Sequence, residues 1–170
     1  MDTSENISTA TELFNKNNYQ ADSLDDEIRA DQFCRNLLQA FHQHLLKEQN
    51  LEALEAGSLA AGADYFLRDF MISNQRKNIF DCSAILVRRF AGHWYIISNL
   101  EPNMAELMPI LKGTERFYHY CLNNKMMTAA TAEEIRRACS DYDYYQQRIE
   151  SFHNITGDGY SDWGNACPLK

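Results

Sequence analysis

A chain of 170 residues, 45% apolar and 12% aromatic, has the length and composition of one globular domain, which excludes a disordered polymer and a small disulfide-stapled fold. Its apolar runs, such as Ala84 to Val87, fall far short of the roughly 20 residues that span a bilayer, and the polar, acidic start Met1 to Ala21 has the wrong character for a signal or transit peptide. The net charge of −8 disfavours nucleic acid as a partner, because phosphate contacts reward an excess of cations. The expected address is cytoplasmic, with no membrane association.

Glycine and proline are scarce, and apolar residues recur at three and four rather than at two. The expected fold class is therefore all-α, a helical bundle of about five helices. Residues 1–22, rich in Asn, Ser and Thr, read as a flexible leader. The helical domain follows over 23–155.

Its first helix starts at Ser23, an N-cap with Asp25, Asp26 and Glu27 in the first turn, where their charge opposes the positive end of the helix dipole. It runs to about Gln49 with a predicted buried stripe of Ile28, Cys34, Leu37, Leu38, Phe41, Leu45 and Leu46. A short turn carrying Leu51 and Leu54 is closed by Gly57. The second helix, capped by Ser58, buries Leu59, Ala63, Phe66, Leu67, Phe70 and Met71 and stops at the polar run Asn74 to Asn78.

The third helix, capped by Asp81 or Ser83, presents Ile85, Leu86, Phe90, Trp94 and Ile97 and ends before Pro102. Asn103 caps a fourth, with Met104, Leu107, Met108, Leu111, Phe117, Tyr118 and Cys121 inward. Pro109 lacks an N–H and is expected to kink this helix or mark its true start, and Gly113 weakens it. Thr131 and Glu134 form a capping box for a last helix carrying Ile135, Ala138, Tyr142, Tyr145, Ile149 and Phe152. Residues 156–170, punctuated by Gly157, Gly159, Gly164 and Pro168, read as a flexible tail pinned by Tyr160 or Trp163.

Charge is divided along the chain: Met1 to Leu67 holds 4 basic and 12 acidic residues, Arg68 to Arg137 holds 10 and 7, and Ala138 to Lys170 holds 2 and 5. The beginning is strongly acidic and the middle mildly basic. The five cysteines form no C-x-x-C pair, which argues against a disulfide framework or structural zinc. Cys34, Cys121 and Cys139 fit the role of small buried hydrophobes.

Three segments carry a further pattern. One is the aromatic-rich helix end Tyr65, Phe66, Leu67, Arg68, Asp69 and Phe70; another is the run Ile79 to Phe90 with Val87, Arg88 and Arg89. The third is Ile110 to Leu122, with Thr114, Arg116, Phe117 and Tyr118. On these residues the stretch 63–127 resembles the SAM-like core-binding domain at the N-terminal side of tyrosine recombinases and integrases. The resemblance implies a SAM-like four-helix core, with the Ser23 helix added to it, and helices that in the family clamp DNA. Only one predicted helix and a tail follow Met127, so the family's C-terminal catalytic domain is expected to be absent and its chemistry is not carried over.

His42 and His44 stand two apart and so point to different sides of a helix, unlike the four-residue spacing of helical metal ligands. No phosphate loop, dinucleotide fingerprint or nucleophile elbow is present. Neither a catalytic residue, a cofactor nor a metal site is therefore expected. The leading functional expectation is a non-enzymatic protein-interaction or regulatory module, partnered by another protein or by itself in a homodimer. Its interface residues are Met126, Met127, Tyr144 and Trp163, on a contiguous apolar patch of several hundred Å². A nucleic-acid-associated module comes second, with Arg88, Arg89, Lys112 and Arg116 as a phosphate-facing stripe. An enzyme without a recognisable motif comes third.

Overall fold

A computed structural model describes residues 8–170, and every regular element among them is helical. A short helix α1 (Ala10–Leu13) and a 3₁₀ turn (Lys16–Tyr19) occupy the segment expected to be a flexible leader. Thr9 and Glu12 cap α1 reciprocally, and Leu13, Tyr19 and Ala21 are buried. The Tyr19 ring lies edge-on to Phe80 at 4.8 Å, while Asn78 donates to the Lys16 carbonyl at 2.9 Å. A few anchors hold this polar stretch down, too few to show in its composition. Residues 1–7 of the expected leader lie outside the described residues.

Helix α2 (Leu24–Lys47) begins where expected, with the Ser23 hydroxyl accepting from the Asp26 N–H at 3.1 Å. Its buried face is Ala30, Cys34, Leu37, Leu38, Phe41 and Leu45. Ile28 does not join it and is 62% exposed. At 3.6 residues per turn, Ile28 lies about 200° around the helix from Ala30, so it faces away from the core.

The expected boundary at Gly57 and Ser58 is absent. Helix α3 (Ala53–Asp64) passes through both and continues without a break into a π-helical segment, Tyr65–Asn74. A β-carbon at Gly57 would meet nothing within 4 Å, and that residue sits inside a helix. Gly57→Ala is therefore expected to stabilise the protein by about 0.5–1 kcal/mol, read as a raised urea midpoint with an unchanged slope.

Ser83 precedes α4 (Ala84–Arg89), which runs on through a second π-helical segment, Phe90–Trp94, into α5 (Tyr95–Ser98). The two π segments meet through their rings: Phe90 packs on Phe66 at 5.1 Å, Phe70 at 5.3 Å, Trp94 at 5.8 Å and Tyr65 at 5.9 Å. Ile85 and Ile97, expected to face inward, are exposed.

Helix α6 (Met104–Asn123) starts at the Asn103 cap, whose side-chain oxygen accepts from the Glu106 N–H at 2.9 Å, and it runs unbroken through Pro109 and Gly113. Both glycine positions at its crossing with α3 have a packing reason. A β-carbon on Gly62 would stand 2.7 Å from the Pro109 carbonyl oxygen, and one on Gly113 would run into the Leu59 carbonyl. The two backbones touch, in opposite directions, with no side chain between them.

The last expected helix is two: α7 (Ala129–Cys139), capped by Thr128 rather than Thr131, and α8 (Tyr142–His153). The break is made by hydrogen bonds that no glycine or proline announces. The Ser140 hydroxyl turns back to the Arg136 carbonyl at 2.7 Å, the Tyr145 hydroxyl donates to the Ala138 carbonyl, and Asp141 pairs with Arg88 at 2.6 Å.

The expected flexible tail is folded onto this end. Helix α9 (Gly159–Asn165) follows Gly157, whose φ of +56° suits glycine. Cys167 is buried, and Arg89 donates to the Leu169 carbonyl at 3.2 Å. Leu169 fills the notch left by the missing side chain of Gly92.

Candidate functional site

Several clefts gather polar side chains, and two of them bear on function. The larger, about 500 Å³, runs between α6 and α7 and is lined by Glu115, Arg116, His119 and Leu122 from α6 and by Ala132, Glu133 and Arg136 from α7. Its carboxylates and guanidiniums balance. Hydrogen bonds from Arg136 and Arg137 hold the Glu133 carboxyl well below the usual carboxylate range.

The second, about 440 Å³, lies between the start of α2 and the π segment Tyr65–Asn74 and is lined by Leu24, Glu27, Ile28, Asp31, Gln32, Arg35, Arg68, Asp69, Ile72 and Ser73. Leu24 and Ile28, one turn apart, are 66% and 62% exposed. Both arginines of this groove are already committed: Arg35 pairs with Asp31 at 3.0 Å, and Arg68 pairs with Asp31 at 2.7 Å and Asp64 at 3.1 Å. Asp69 has no ion-pair partner among the described residues. Desolvation first, then the Asp64 charge, raise its carboxyl above the ordinary range, and Arg68 offsets this only in part.

The four side chains expected at a protein interface are packed instead. Met126, Met127, Tyr144 and Trp163 are all half-buried against the core. Trp163 is the most engaged: it stacks on His93 at 5.6 Å, meets Phe152 edge-on at 5.3 Å, carries the Arg148 guanidinium at 4.1 Å and donates to Ser151 at 2.8 Å. Burial, with Arg148 and Lys170 nearby, pushes the His93 imidazole below its usual range. These contacts tie the tail to α8 and leave little of the tryptophan to offer a partner.

Of the four expected phosphate contacts, the two on α4 are engaged within the fold. Arg88 is taken by Asp141, and Arg89 by the Leu169 carbonyl and by Gln75 at 3.3 Å. Arg116 lines the α6–α7 cleft, and Lys112 stands on the exposed side of α6. Of the four, Arg116 alone enters that cleft.

His42 and His44 diverge as their spacing implies, His42 toward Asp64 and the α2–α3 groove, His44 toward Tyr120 and Glu48 on the other side. Among the described residues no group of three or more His, Cys, Asp or Glu side chains is placed to hold a metal. All five cysteines are free and buried, and burial pushes the Cys82 thiol up to about 12, far from a reactive thiolate. No described helix is long and apolar enough to cross a membrane.

Leu24 and Ile28, like Ile85 and Ile97, are surface residues that the sequence pattern missed. The signal was present: the stripe Ala30, Cys34, Leu37, Phe41 and Leu45 advances by three and four, and neither Leu24 nor Ile28 keeps its phase. The other exposed large apolar side chains, Leu54, Ile85, Ile97, Leu100 and Tyr160, line none of the clefts described above. No protein-family model, curated protein or solved structure matches the chain.

Proposed function

We propose that this chain is a non-enzymatic helical module of the cytoplasm that binds another protein through the first two turns of α2. The observation that carries the reading is the pair Leu24 and Ile28, large apolar side chains held in water beside a groove. Two such residues one turn apart on a fixed helix are the anchors a helical ligand uses. Exposing them has no folding benefit, since the buried face of α2 is complete without them.

A nucleic-acid-associated module with a SAM-like core over 63–127 has less support, because Arg88 and Arg89 are occupied within the fold. A homodimer through the same face is disfavoured by Asp25 and Asp69, which have no ion-pair partner among the described residues and which a second copy would bring against like charges.

Replacing Leu24 and Ile28 together by Gln tests the reading. Exposed apolar residues predict a stability change within about 0.5 kcal/mol, together with loss of a photo-crosslinked adduct formed through a probe at Gln32 in the parent cell. A fall of about 2–5 kcal/mol, the loss expected for core side chains, or an undiminished adduct, sinks it.

A further inference from the structure

The groove at the start of α2 has a chemistry of its own that narrows what it can hold. Its apolar content is Leu24 and Ile28 at the rim and the buried Ile72. Its positive charge is used up internally, because Asp31 and Asp64 together bind Arg68 and Asp31 also binds Arg35. What remains is acidic. Asp25 stands three residues from Ile28 on the same side of α2, and neither it nor Asp69 across the groove has an ion-pair partner among the described residues. Glu27 reaches only Arg76, at 3.4 Å.

We infer that this groove takes a basic amphipathic helix of a partner protein, its apolar stripe seated on Leu24 and Ile28 and its lysines or arginines turned toward Asp25 and Asp69. The inference rests on the interaction-module reading above. Two knobs one helical turn apart match a stripe at three- and four-residue spacing. The acids on both rims reward cations flanking that stripe and repel an acidic ligand of the same shape. Of the three first-turn carboxylates, Asp26 pairs with Arg29 at 2.7 Å and Glu27 with Arg76, and the full charge of Asp25 still outweighs the half positive charge of the α2 dipole, so the helix start does not reverse the preference.

The probes are two designed helical peptides with the same leucine stripe, one flanked by Lys and one by Glu, titrated by fluorescence anisotropy against the full chain. The Lys peptide is expected to bind with an affinity that falls as salt rises, and the Glu peptide at least about tenfold more weakly. Leu24→Gln with Ile28→Gln is expected to lower the Lys-peptide affinity about tenfold or more, the loss of two apolar anchors. Asp69→Asn with Asp25→Asn is expected to lower it about threefold per carboxylate.

Equal binding of both peptides, lost in the Gln variant, overturns the charge preference and leaves the interaction reading standing. Binding of the Lys peptide that survives the Gln substitutions shows adhesion elsewhere on an acidic chain and overturns the inference. Absence of binding by both peptides overturns it too, while the crosslinking result at Gln32 decides the broader reading independently.

Discussion

Gly113→Ala is expected to destabilise the protein by about 3 kcal/mol or more, at the upper end of what overpacking costs. The sign is the opposite of what helix propensity gives, because Ala in place of Gly inside a free helix gains about 1 kcal/mol. At this position the new methyl would run into the Leu59 carbonyl and stand 2.9 Å from the Ala63 nitrogen. Those are backbone atoms of α3 and cannot rotate away, so relief requires the two helices to separate. Separation in turn loosens the neighbouring crossing of Gly62 against Pro109 and uncovers the buried Leu59, Leu111 and Phe117.

The same logic ranks three glycine substitutions. Gly113→Ala costs most, Gly62→Ala less, because its nearest obstacle is 2.7 Å away, and Gly57→Ala stabilises because nothing lies near. Urea denaturation of the set checks the order. A Gly113→Ala protein as stable as the parent contradicts the backbone contact between α3 and α6.

Phe90→Ala is expected to cost about 3–5 kcal/mol, the range for removing a buried phenylalanine. Phe90 is fully buried and contacts Tyr65, Phe66, Phe70, Trp94 and Tyr95 through their rings, at centroid distances of 5.1–6.3 Å. With Trp94, which meets Tyr65 at 5.7 Å and Phe70 at 5.4 Å, it joins the two π-helical segments, and it is the more deeply buried of the two rings. Continuous π geometry is rare and is normally a single widened turn, so these segments depend on packing for their shape. Loss of Phe90 should therefore reduce near-ultraviolet circular dichroism from Trp94 and Tyr65 along with stability. A midpoint shift worth less than about 1 kcal/mol would contradict this account of the aromatic layer.

The all-helical class was legible in the three- and four-residue spacing, and so were the caps at Ser23 and Asn103, because an N-cap is a local side-chain-to-backbone bond. Boundaries set by distant contacts were not. The Ser140 break between α7 and α8 depends on Asp141 meeting Arg88, and the π segments depend on a ring from another helix. Gly57 looked like a stop and is an open helical position; Gly113 looked like a weakness and is a contact. Propensity sees a glycine but not what stands beside it.

The surface was misread for a related reason. Met126, Met127, Tyr144 and Trp163 stand out by residue type, yet all four are half-buried against the core. Ile28 has the apolar character of a core residue, although its phase sets it outside. Apolar character names the candidates for a surface anchor, and position around the helix axis selects among them.

Backbone-amide NMR of the full chain, titrated with the Lys-flanked peptide, tests the central claim most directly. Shifts are expected to be confined to the two rims of the groove, Leu24 to Arg35 on α2 and Arg68 to Ser73 on the π segment. Shifts centred instead on Glu115, His119 and Arg136 would place recognition in the α6–α7 cleft and contradict it.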